Sequence, residues 1–247
     1  MELNYAQGPD GMYILARADM EKIARDTLEE FAPQNLETPK SFDVDVFLSD
    51  YLGLLVKERY IGVTGYEALG LTVMSDMVEI PSLDERFRPT VITETYGNVL
   101  ISPSLCGMKY LGRKRYTEVH EGAHWILHRP YFQKKEQLNG GGTGHGFVAC
   151  RSIERYAPQK KRSTDWLEWQ ADTLAAALLM PGEIFSKYTR KLLRQAGAVR
   201  GYLEGANPRD KRIFYEIVPE LSRRFSVSLR AVQIRMIHLG LIKPQTE

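Results

Sequence analysis

Cysteine is scarce: Cys106 and Cys150 are the only two in 247 residues, too few for a disulfide framework. Long apolar runs are missing as well. The most hydrophobic stretch, Ala175–Met180, falls far short of the roughly 20 residues a membrane-spanning helix needs. Net charge is nearly absent, at +2 from 33 basic and 31 acidic side chains, so no global excess draws the chain to nucleic acid. The opening MELNYAQGPDGMYILARADM has neither the basic start nor the apolar core of a secretory signal. These absences make a cytoplasmic location, with no membrane partner, the expectation. What is present is an ordinary globular composition, 43% hydrophobic and 26% charged, in a chain long enough to bury a core.

Hydrophobic spacing predicts helices at both ends and a sheet between them. Asp19 reads as the N-cap of MEKIARDTLEEFA, which Pro33 stops, and a second helix is expected over Asp43–Val56. From Leu69 to Leu105 the pattern becomes short, β-branched and turn-punctuated, which predicts three or four antiparallel strands. A helix follows, expected to end at Pro130. Residues 131–162 are glycine-rich and charged and resist a reading. Ser163 or Thr164 then caps a helix that Pro181-Gly182 ends, and Glu183–Ala196 forms another. Two last helices, Arg209–Phe225 and Ser228–Leu239, flank a short turn. The fold class expected is α+β and mostly helical. Its small antiparallel sheet precedes the central helix, and a helix-turn-helix-like pair ends it.

Three of the five histidines lie in RKRYTEVHEGAHWILH, between positions 120 and 128. On a helix, His120 and His124 share one face with Glu121 beside them. Two imidazoles at that spacing can share a zinc ion, and the carboxylate can take a proton from a water on it, which is the mechanical content of His-Glu-x-x-His. His128 lies about 6 Å further along the axis and reads as a packed or hydrogen-bonded residue instead. Catalytic zinc ordinarily has three protein ligands, so a third must come from elsewhere. Glu168 is the best candidate. Asp172, four residues on, is placed to accept a hydrogen bond from a ligand imidazole. Asp165, Glu183 and His145 remain weaker alternatives.

RKRYTEVHEGAHWILH followed by EWQADTLAAALLMP resembles the ImmA/IrrE family of zinc metallopeptidases. Arg115, Tyr116 and Thr117 match that family's lead. Glu168, Ala171, Asp172, Ala175, Leu178, Leu179, Met180 and Pro181 match its second motif, and FSVSLRAVQIRMIHLGLI resembles its ending. The resemblance implies a zincin-like core with one Zn2+ per chain. It implies His120, His124 and Glu168 as ligands, Glu121 as catalytic base and Asp172 as partner to a histidine. It also implies a protein substrate, a helix-turn-helix transcriptional repressor whose cleavage derepresses genes. Two departures stand out. Gly122 and Ala123 sit where the family has a bulky apolar residue and glycine. The span from His124 to Glu168 is longer than usual, which marks 131–162 as an insertion.

The expected organisation is a metallopeptidase domain over 1–200, carrying that insertion, and a helical subdomain over 201–247. His145 and Tyr156 are candidates to stabilise an oxyanion. An extended substrate could add to the sheet edge at Asn98–Ser102. Two other readings stay open. One is a DNA-binding regulator using Arg223, Arg224, Arg230 and Arg235, which the modest net charge disfavours. The other is a zinc-binding protein without protease activity.

Overall fold

The computed structural model describes residues 3–63, 66–138, 147–151, 163–205 and 207–243. The architecture is mixed α+β and divides into two compact units. The first comprises 1–20 and 43–175, the second 21–42 and 176–247. Residues 201–247 thus share a unit with 176–200 and with most of the first helix, α1 (Arg17–Phe31). That helix starts two residues before Asp19, whose carboxylate accepts from the Ala16 N–H at 2.7 Å, the reach-back half of a capping box.

In the first unit, Asp43 caps a short turn of helix that widens into a π-helical turn over Phe47–Tyr51. The expected helix to Val56 stops early. Gly53 takes a positive φ of 67°, and the chain then enters β1 (Leu55–Glu58). Strands β2 (Ile61–Val63), β3 (Tyr66–Val73), β4 (Val78–Leu83), β5 (Pro89–Glu94) and β6 (Asn98–Ile101) follow. The sheet runs β1-β6-β3-β2-β4-β5, and β7 (Phe147–Arg151) pairs with β3.

This corrects the expected small antiparallel sheet in three respects. Among the described residues it has seven strands, its β1–β6 ladder is parallel, and β7 arrives after the central helix. Asn98–Ile101 is not an edge either: β6 is paired on both sides, by β1 and β3.

One irregularity in β3 decides what the sheet offers the site. Opposite β7 the register slips between Ala68 and Gly70, so one extra residue sits in β3. Such a bulge reverses which face later side chains take. Ala68, Leu71 and Val73 therefore share the apolar cluster with Ile61, Ile80 and Leu100. Gly70 and Thr72 face the other way, toward the central helix.

Numbering the helices in chain order, α2 (Gln34–Glu37) and α3 (Val44–Val46) are short, and α4 is the long helix Leu111–Leu138. It overruns Pro130. An interior proline removes one backbone bond at about 3 kcal/mol, yet Phe132 beyond it is buried and the helix continues. Gly122 lies under the π turn: a Cβ there would come within 2.9 Å of Leu48 and 3.1 Å of Leu52. The missing side chain at Gly122 thus makes room for a neighbour. Next comes α5 (Ser163–Leu179), whose segment 167–175 packs Leu167, Ala171, Leu174 and Ala175 into the core.

The second unit is helical: α6 (Gly182–Gln195), α7 (Pro208–Phe225) and α8 (Leu229–His238), with β8 (Leu203–Glu204) and β9 (Ile242–Lys243) paired in parallel. Asn207 and Ser228 cap the last two helices through their side chains. After α8, Gly240 at φ 67° directs the Leu241 N–H to the Met236 carbonyl at 2.8 Å, a Schellman stop. Arg235 is buried. Its guanidinium holds Glu21 with two bonds, of 2.6 and 2.9 Å, and donates from Nε to the Met180 carbonyl. Among the described residues no helix is long and apolar enough to cross a membrane.

Candidate metal centre

The site lies wholly in the first unit, where α4 supplies His120, Glu121 and His124 and α5 supplies Glu168 and Asp172. The i, i+4 spacing on α4 brings His120 Nε2 and His124 Nε2 to 2.9 Å. Glu168 reaches across from α5, with Oε2 3.4 Å from His120 Nε2 and Oε1 3.5 Å from His124 Nε2. These three residues offer one ligand atom each within 4.8 Å of one another, and so could hold a metal ion. Both histidines are buried, and Glu168 is partly exposed.

The protons on these rings follow from their outer partners. His120 Nδ1 lies 3.0 Å from Asp172 Oδ1, a carboxylate that can only accept when ionised. On the other side, Gln170 Nε2 donates to the Tyr13 carbonyl at 2.8 Å, which fixes its amide. Gln170 Oε1 is left to accept from His128 Nε2, at 2.9 Å. A neutral His128 with its proton there has a bare Nδ1, which accepts from His124 Nδ1 at 2.8 Å. Burial holds the His128 pKa well below its ordinary value and lowers that of His124. Both ligand rings therefore carry their proton on Nδ1. With both Nδ1 atoms turned outward, the two Nε2 atoms turn inward, 2.9 Å apart beside the Glu168 carboxylate. Such a donor set fits a cation.

Burial also acts on Glu168, raising its pKa, but the His120 and His124 imidazoles outweigh it and hold the carboxyl well below the usual range. Glu121 behaves oppositely. It is fully buried, and desolvation pushes its carboxyl up to about 8, against the opposing pull of His120 and Thr72. Thr72 Oγ1 shares its proton between Glu121 Oε2 at 2.6 Å and the Glu121 carbonyl oxygen at 3.0 Å. Oε1 has no hydrogen-bond partner although it is buried. It sits where Gly70 lacks a side chain, since a Cβ there would lie 2.4 Å from Oε1 and 2.7 Å from Thr117 Cγ2.

The structure thus gathers His120, Glu121, His124, Glu168 and Asp172 into one constellation. His145 and Tyr156 lie outside the described residues. Of the alternative ligands, Glu183 belongs to the second unit and is not in the donor group. Four site residues escaped the sequence reading: Gly70, Thr72, Gln170 and Tyr13. An isolated glycine in a strand does signal close backbone approach, so LGLT offered a clue to the first. Neither a family model nor a curated protein matches the chain.

Proposed function

We propose that this chain is a zinc-dependent metalloendopeptidase built on a zincin-like core. The observation that carries the reading is the convergence of His120, His124 and Glu168 beside the buried Glu121, whose Oε1 has no hydrogen-bond partner. His120, His124 and Glu168 would hold the ion; two imidazoles and one carboxylate suit zinc. When bound, zinc supplies the Lewis acidity that polarises a peptide carbonyl and makes a water easy to deprotonate near neutral pH.

The remaining work falls to the chain's own residues. Beside a cation at the centre the Glu121 pKa would come back down from about 8; with Thr72 anchoring Oε2, Oε1 would then be the atom that takes the proton from the attacking water and returns it to the leaving amine. Asp172 holds the His120 ring from behind. Strand β7 has no partner on its second edge among the described residues, and an extended peptide could align along it.

The substrate in this reading is a helix-turn-helix transcriptional repressor. It rests on the ImmA/IrrE resemblance of the two motifs and on nothing else. The DNA-binding alternative loses one of its four arginines, because Arg235 is buried against Glu21. A zinc-binding protein without turnover is the reading to test against. Zinc-loaded chain and its Glu121→Gln variant are incubated with the repressor encoded beside it. Specific cleavage by the first alone supports the reading. Equal zinc content with no cleavage by either removes proteolysis of that substrate.

A further inference from the structure

His128 is fully buried one turn beyond the two ligand histidines, too far along α4 to join them. Burying a polar ring without partners is costly, and this one has both nitrogens engaged. Nδ1 meets His124 Nδ1 at 2.8 Å, and Nε2 meets Gln170 Oε1 at 2.9 Å. Gln170, also fully buried, is pinned in turn by the Tyr13 carbonyl at 2.8 Å. The line from His124 to the backbone at residue 13 has one consistent set of donors and acceptors. A backbone carbonyl at its end can only accept. Each group before it must therefore donate forward, and His124 has to carry its proton on Nδ1.

We propose that His128 and Gln170 are positioning residues, forming a relay that holds the His124 imidazole so that its Nε2 lone pair points at the metal centre. This role rests on the three-donor centre proposed above. It differs from the support given to His120. There the outer group is a carboxylate, Asp172, with a side chain 60% exposed. The His124 support is uncharged, buried and three groups long, and it ends on the N-terminal segment, where Gln7 and Tyr13 form a bridge. It cannot be screened by salt, and water has no access to replace any member of it. Outer partners of metal-bound histidines commonly shape affinity by 10–100-fold.

Two measurements on the full-length chain test this. The first is zinc affinity by chelator competition for wild type, His128→Phe, Gln170→Leu and His128→Gln. The second is 15N NMR of the imidazoles in the zinc-free wild type. The relay predicts His124 protonated on Nδ1 and His128 on Nε2. It predicts zinc binding weakened roughly 10–100-fold in His128→Phe and Gln170→Leu, and largely restored in His128→Gln, whose amide can both accept and donate. Wild-type zinc binding with both disruptive variants within twofold of it overturns the relay, as does a His128 proton on Nδ1. If His128→Phe fails to fold, Gln170→Leu and the NMR spectrum decide. A wild-type chain that takes up no zinc removes the centre itself, and the ring protonation then reports separately whether the hydrogen-bonded line exists.

Discussion

Each of the two units buries polar groups, and they do so in opposite ways. In the second unit, Arg235 is closed on all sides: two bonds to Glu21 and one to the Met180 carbonyl use its fork of donors. Each of its three nitrogens has a partner within the fold. In the first unit, the outward side of each ring is satisfied by Asp172 or by the His128–Gln170 line, the inward nitrogens converge on Glu168, and Glu121 Oε1 is buried without a hydrogen-bond partner. A buried polar group left incomplete is unfavourable unless something completes it. The contrast separates a structural ion pair from a site.

The largest effect expected is at the inward side. His120→Ala or Glu168→Gln should lower zinc retained against a chelator from one ion per chain to none. Metal content measured alongside circular dichroism checks this, and a variant that keeps its zinc would erase the contrast. Next, Arg235→Met leaves Glu21 without its partner and should destabilise the second unit by about 3 kcal/mol, the low end for a broken buried pair because Glu21 keeps some solvent. Adding Glu21→Leu should recover most of that loss, with zinc affinity unchanged throughout. Denaturant unfolding of the single and double variants reads it.

A subtler perturbation is Gly70→Ala. The new methyl would push Glu121 away from Thr72 by roughly an ångström, and a misplacement of that size can lower turnover about 10²-fold. Zinc affinity should hold, and kcat measured on zinc-loaded protein separates the two. The smallest effect is expected for Gly122→Ala. Helix propensity gains up to about 1 kcal/mol, and the crowding at Leu48, Leu52 and the buried Phe47 ring offsets it only in part, because the two leucine contacts are with the ends of flexible side chains. A stability change within 1 kcal/mol in thermal unfolding is the outcome.

What could be read from the sequence was local. His120 and His124 meet because a helix repeats every 3.6 residues, and Glu168 with Asp172 shares a face for the same reason. The last two helices emerged nearly as expected because their apolar spacing is local. What escaped depends on distant partners. The parallel β1–β6 ladder joins segments separated by four other strands. The role of Gly70 depends on a bulge set by β7, which lies beyond the whole of α4. Helix α4 passes Pro130 because packing beyond it compensates, which no propensity scale contains. His128 is hydrogen-bonded, one of the two roles its position allowed, but its partner Gln170 and the Tyr13 carbonyl beyond sit in two other parts of the chain.

We propose that two imidazoles and one carboxylate hold zinc. X-ray absorption at the zinc edge of the purified, zinc-loaded chain tests it most directly. Only nitrogen and oxygen neighbours at about 2.0–2.2 Å are expected, with the multiple scattering of two imidazoles. Sulfur at about 2.3 Å, or an imidazole signal unchanged in the His124→Ala variant, would contradict it.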